Sequence, residues 1–140
     1  MEKKRILIVD DDPEIRHTLK KRLEHHGFSC DSAASVEIAL EKARTEALDL
    51  VLLDLGFPGV DGTAFMKTFT QNPPPHKKIP PILVLSCYSD KEIVNNVLSS
   101  GAVGFIAKPY DATELLSTIR LLTQTPVSNG PAPTGSEAPL

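Results

Sequence analysis

The sequence predicts a doubly wound α/β domain, a five-stranded parallel sheet with helices on both faces. Three observations lead there. Short apolar runs alternate with capped, amphipathic stretches along most of the 140 residues. The runs are nearly all apolar instead of alternating, as in strands buried on both faces. The segments between them are long enough for the crossovers of about a dozen residues that parallel strands require.

The first strand is Arg5 to Val9, and it ends in Asp10-Asp11-Asp12. Asp12-Pro13-Glu14 then reads as an N-cap, a proline at the first helical position and an acid in the first turn. Ile15, Leu19 and Leu23 recur on one helical face, and Gly27 supplies the stop. Phe28 to Ser32 is a second strand. Ser35 caps a helix carrying Val36, Ala39, Leu40 and Ala43, and Leu50 to Leu53 is a third strand that ends at Asp54.

The loop Gly56-Phe57-Pro58-Gly59-Val60-Asp61-Gly62 leads into a shorter helix holding Phe65, Met66 and Phe69. Pro73-Pro74-Pro75 and Pro80-Pro81 mark a surface loop. Ile82 to Leu85 is the fourth strand. Ser89-Asp90-Lys91-Glu92 reads as a capping box opening a fourth helix that closes at Gly101. Val103 to Ala107 is the fifth strand. Asp111-Ala112-Thr113-Glu114 has the same spacing and opens a last helix with Leu115, Leu116, Ile119 and Leu122 on one face. The domain therefore runs over 4–124. Residues 125–140, rich in proline and glycine without apolar periodicity, read as a disordered tail or the start of a linker.

Composition narrows the function. A net charge of −3 argues against binding nucleic acid through bulk positive charge. The longest aliphatic runs, Ile6 to Val9 and Ile82 to Leu85, are far too short to span a bilayer. The start, Met1-Glu2-Lys3-Lys4-Arg5, leads into a strand with no signal-peptide core, so a cytoplasmic protein without membrane contact is expected. Cys30 and Cys87 make neither a CxxC pair nor a disulfide framework and read as buried, reduced thiols.

Ligands of such sheets bind beyond the carboxyl ends of the strands, where strand order reverses. Those ends carry Asp10-Asp11-Asp12, Asp54, Ser86 and Lys108-Pro109. In the common order 2-1-3-4-5, carboxylates, a hydroxyl and an ammonium converge on one edge. Acids this close repel one another unless a cation intervenes, and a hard divalent ion, Mg²⁺ foremost, suits an all-oxygen site. With such an ion bound, Asp54 is a candidate nucleophile toward phosphorus, while Lys108 and Ser86 are placed to bind phosphoryl oxygens. Each residue also has a plain reading: helix cap, loop-starting Asp, local serine turn, solvated lysine. Their joint placement on the right strand ends outweighs those readings.

The chain resembles a response-regulator receiver domain of two-component signalling, with its flavodoxin-like, CheY-like (βα)5 sandwich. The likeness rests on Ile6-Leu7-Ile8-Val9-Asp10-Asp11-Asp12-Pro13-Glu14-Ile15-Arg16, on Asp49 to Leu55, and on Pro58-Gly59-Val60-Asp61-Gly62. Pro81 to Ser86 and Gly101-Ala102 through Lys108-Pro109 complete it. It implies that Asp54 accepts a phosphoryl group from a sensor histidine kinase or phosphotransfer protein. It implies a metal site of Asp10, Asp11, Asp54 and the Gly56 backbone carbonyl for Mg²⁺, with Mn²⁺ as a substitute. Asp11 would bind directly and Asp10 through water.

Ser86 would be the switch hydroxyl, Lys108 the ion-pair partner of the phosphoryl group and Phe105 the aromatic switch, although Phe105 also reads as a plain core aromatic. Output would pass through the face of the fourth helix, fifth strand and fifth helix to a downstream protein or an output domain. A phosphorylation-dependent homodimer through that face stays open. Ser86 stands where threonine is commoner, and Cys87 where a small alanine is usual. Gly56 and Tyr88 occupy positions that in the family tune loss of the phosphoryl group.

Two other functions compete. Haloacid-dehalogenase-like phosphatases share the Asp, Ser or Thr, Lys and Mg²⁺, but need a second Asp two residues after the nucleophile, where this chain has Gly56. No enzyme acting on external substrates is therefore expected. A phosphorylation-independent interaction module is the other alternative, and such modules usually lose the acids, acceptor or lysine that this chain keeps.

Overall fold

The computed structural model describes residues 3–55, 66–67, 80–88 and 90–124. Their order is β1 (Arg5–Val9), α1 (Pro13–His25), β2 (Ser29–Ala33), α2 (Val36–Thr45) and β3 (Leu50–Leu55). Then come β4 (Ile82–Ser86), α3 (Lys91–Ser99), β5 (Gly104–Ala107) and α4 (Ala112–Thr123). The strands form one sheet in the order β2-β1-β3-β4-β5, every pairing parallel. This is the expected doubly wound fold. The third expected helix lies outside the described residues except for Met66 and Lys67, which are helical. The Gly56–Gly62 loop, the Pro73–Pro75 cluster and the 125–140 tail also lie outside them.

Successive strand residues point to opposite faces, and two separate cores result. Ile6, Ile8, Leu50, Leu52, Leu83, Leu85 and Ile106 pack with Leu19 and Leu23 of α1 and with Leu115 and Ile119 of α4. Leu7, Val9, Val51, Leu53, Ile82 and Val84 pack with Ala39 and Ala43 of α2, Val97 of α3, and Met66. The continuous apolar runs in β1, β3 and β4 exist because both faces are covered. Strand β2 departs from that pattern. It lies at the sheet edge, and Ser29 to Ser32 are only half-buried.

Local chemistry sets the element ends. Asp12 caps α1, its carboxylate accepting from Glu14 N at 2.9 Å, and Pro13 opens the helix. The helix ends on Gly27, whose φ of +96° lies in the left-handed region. There Gly27 N donates to Glu24 O and Phe28 N to Leu23 O, satisfying carbonyls the helix leaves open. Ser35 caps α2 through Ile38 N at 3.2 Å.

Three local readings need correction. The cap of α3 is Asp90, not Ser89, and neither Asp90 nor Asp111 makes a side-chain cap bond, so both helices start without a closed capping box. Strand β3 continues to Leu55, which puts Asp54 inside the ladder, paired with Leu85, instead of in a loop. Cys87 is exposed and Cys30 only half-buried. Cys87 follows the last residue of β4, outside the ladder.

Candidate phosphoacceptor site

The register explains which residues meet. Val9 pairs with Leu53, so Asp10 and Asp54 are the next rungs on adjacent strands. Both follow the even-numbered residues whose side chains face α1 and α4. Ile106 is on that face too, and Lys108 two residues on reaches back across β4. Its Nζ donates to Asp54 Oδ1 at 2.5 Å. Lys108 is itself pinned by its backbone N–H, which donates to Ser86 O at 2.8 Å.

Asp10 and Asp54 are almost enclosed. Asp10 is 6% exposed and the Asp54 side chain 3%. Asp10 Oδ1 accepts from Asp12 N at 2.9 Å. The second oxygen of each carboxylate, Oδ2, is buried with no hydrogen-bond partner. Burial pushes the Asp10 carboxyl up from its ordinary 3.8 to about 7; the Asp12 N–H opposes this, and the neighbouring Asp54 carboxylate adds to it. An orphaned pair of acid oxygens side by side is costly unless protons or a cation join them.

The donor set fits a hard divalent cation: oxygen atoms only, two of them buried and unpartnered on neighbouring acids, with the Lys108 ammonium beside one of them. Among the described residues no three His, Cys, Asp or Glu side chains form a ready cage, and Asp11 is exposed. Gly56, the fourth expected ligand, lies outside the described residues.

Ser86 is not joined to this group. It alternates with Ile82 and Val84, whose side chains belong to the opposite core, and it is fully buried. Its Oγ accepts from Tyr88 N at 3.0 Å. Phe105 pairs with Val84 and packs half-buried against the same core as Ile93 of α3. The structure thus brings Asp10, Asp54 and Lys108 together on one face, and puts Ser86 and Phe105 on the other.

A cleft of about 580 Å³ opens beside the acids. Ile15, Leu19 and Arg22 of α1 form one wall, Pro109 and Tyr110 the other, and Asp54, Lys108 and Cys87 also line it. Tyr110 is half-buried, and burial together with the Asp54 charge pushes its phenol above the ordinary value. Neither the cleft nor Tyr110 was legible in the sequence, because both depend on α1 and the β5–α4 loop meeting in space. Arg16 also escaped a role: the sequence places it only within the motif that runs from Ile6 to Arg16.

A family model for the response regulator receiver domain matches residues 6–120. Response regulator ArlR of Staphylococcus saprophyticus is 33% identical over 126 residues, 89% of this chain and 55% of that protein. The DNA-binding transcriptional regulator NtrC of Klebsiella pneumoniae is 31% identical over 112 residues, 80% of this chain and 23% of that protein. The chain thus spans about half or less of these relatives. Among solved structures, the chemotaxis protein CheY4 of Vibrio cholerae superposes with a TM-score of 0.75 at 29% identity, covering 86% of this chain and 99% of that one. A CheY-like receiver domain protein of Methanospirillum hungatei gives 0.74 at 30% identity, covering 86% and 93%.

The chain belongs to the response regulator receiver domain family of two-component signalling. Phosphorylation-based switching, a divalent metal at the phosphorylation site, and exchange with histidine kinases and output domains are typical of that family. Among the described residues no helix is long and apolar enough to cross a membrane.

Proposed function

We propose that this receiver accepts a phosphoryl group on Asp54 from the phosphohistidine of a sensor kinase or phosphotransfer protein, with Mg²⁺ as the resident ion. One observation carries the reading. A nearly enclosed Asp54 carboxylate, held by Lys108 through one oxygen and unpartnered at the other, lines an open cleft beside a second orphaned acid.

The ion would be held by Asp10, Asp11 and Asp54 with the Gly56 carbonyl, and when bound it neutralises acid and phosphoryl charge. The chain's own groups do the rest. Lys108 fixes the Asp54 carboxylate and stays close enough to meet phosphoryl oxygens. The free Asp54 oxygen attacks phosphorus; the new O–P bond forms as the donor's N–P bond breaks with its electron pair staying on nitrogen, and the imidazole, already protonated by solvent on its other ring nitrogen, leaves neutral. The cleft walls admit the donor and exclude water from one side.

Ser86 then acts as the switch hydroxyl. Its oxygen accepts from Tyr88 N, so its own proton is free to turn toward an anion at Asp54. Phe105, on the strand paired with that of Ser86, would follow the movement as the aromatic switch. The readout face is α3, β5 and α4, where Leu98 is 41% and Leu121 69% exposed. Its target is a downstream protein or an output domain, and the chain acts as a switch, not on external substrates.

Intact-protein mass after incubation with acetyl phosphate and Mg²⁺ tests the reading. A single phosphoryl adduct is expected, absent in Asp54→Asn and absent with chelator. No adduct on the wild type would overturn it in favour of a phosphorylation-independent interaction module.

A further inference from the structure

Asp10 is tied at three of its four polar positions: N donates to Ala33 O, Oδ1 accepts from Asp12 N, and the carbonyl accepts from Arg16. Only Oδ2 is left. The Arg16 bond is the unusual one. Its Nη1 donates to Asp10 O at 2.6 Å, a short, charge-assisted contact in a half-buried setting. Three acids, Asp10, Asp11 and Asp12, stand close by in the chain, yet among the described residues Arg16 makes no ion pair with any carboxylate. The guanidinium is spent on a neutral carbonyl.

That carbonyl lies just past the end of β1, where the sheet ladder offers it no partner strand. A buried carbonyl in a turn needs a donor, and its peptide plane swings if none is supplied. The same plane leads into Asp11, and the same residue carries the unpartnered Oδ2 and lies beside Asp54. Arg16 is carried by the first turns of α1, which Asp12 caps and Leu19 and Leu23 anchor to the core. The helix therefore holds the acid turn through one charge-assisted bond.

We propose that Arg16 is a positioning residue for the divalent-ion site, acting through the Asp10 main chain instead of touching ion or phosphoryl group. This rests on the metal-dependent reading above. Groups that orient metal ligands typically contribute about 10- to 100-fold to metal affinity. Arg16→Met keeps the aliphatic stem and removes the donor. Arg16→Lys keeps a donor and a charge.

The test is Mn²⁺ binding, followed by loss of the free-ion electron paramagnetic resonance signal, in the complete chain. Wild type, Arg16→Met, Arg16→Lys, Asp10→Asn and the Arg16→Met/Asp10→Asn double variant are compared. Arg16→Met is expected to weaken binding by roughly tenfold and Arg16→Lys by no more than about threefold. In the Asp10→Asn background the effect of Arg16→Met shrinks to about twofold or less, because the carboxylate that this main-chain bond orients is no longer there to hold the ion. Equal affinity in wild type and Arg16→Met overturns the inference. So does an undiminished loss in the Asp10→Asn background, which marks a general structural effect. Should Arg16→Met alone fail to fold, the Lys variant with and without Asp10→Asn carries the same comparison. A wild type that binds no Mn²⁺ refutes the metal reading itself, an outcome distinct from either result on Arg16.

Discussion

Asp10→Asn should stabilise the metal-free protein above about pH 4, where Asp10 of the unfolded chain ionises, and not below it. The Asp10 carboxyl is raised from 3.8 to about 7 by burial, with the Asp54 charge adding to the effect. A folded-state pKa above the unfolded value makes the folded protein the better proton binder. Its contribution is therefore full below about pH 4 and is lost as pH rises through about 7. One pKa unit is worth about 1.4 kcal/mol, so on the order of 4 kcal/mol is lost by about pH 8.

Asparagine keeps an oxygen for the Asp12 N–H and brings an NH₂ donor to the orphaned Oδ2 position. Burying that amide costs about 1–2 kcal/mol, leaving a net gain of about 2–3 kcal/mol. For a domain of this size that corresponds to roughly 8–12 °C in melting temperature. Circular dichroism melts in chelator, at about pH 4.5, 6 and 8, check it. At about pH 4.5 the two proteins should melt within about 2 °C of each other. Equal melting at the high pH, or a gain independent of pH, would refute the picture of a buried, unsatisfied acid.

Four further outcomes follow from the same geometry. Mg²⁺ should raise the melting temperature more at about pH 8 than at about pH 6, because below about 7 the ion must displace a proton from Asp10; scanning calorimetry at both pH values reads this, and a constant increment contradicts it. Lys108→Met removes the cation from an Asp54 side chain 3% exposed and should cost about 2–3 kcal/mol in urea denaturation, whereas a loss under about 0.5 would show the pair to be idle. Gly27→Ala meets no atom within 4 Å, so its cost comes from the positive φ alone, about 1 kcal/mol in the same assay. Iodoacetamide near neutral pH should label exposed Cys87 at least about tenfold faster than Cys30, whose thiol is pushed up to about 11 by burial and by Glu24; peptide mass mapping assigns the order.

Much of the fold was written in one-dimensional pattern. Apolar runs such as Leu50-Val51-Leu52-Leu53 declare two covered faces, and Asp12-Pro13 and Gly27 punctuate α1 by chemistry local to a few residues. Such signals survive in a sequence because capping, proline geometry and positive φ depend on neighbours in the chain. The acids at the ends of β1 and β3 and the lysine after β5 were legible for a similar reason: strand ends of a parallel sheet share one edge.

Tertiary structure decided the rest. Register put Asp10 beside Asp54, burial left one oxygen of each without a partner, and Lys108 crossed β4 to reach Asp54 from 54 residues away. It also separated Ser86 and Phe105 from that trio, onto the opposite face, and brought the Arg16 guanidinium onto the Asp10 carbonyl. Residue type and spacing determine which groups arrive at the edge. Face, depth and the count of satisfied hydrogen bonds depend on long-range packing, and these fix the charge state and reach of each group.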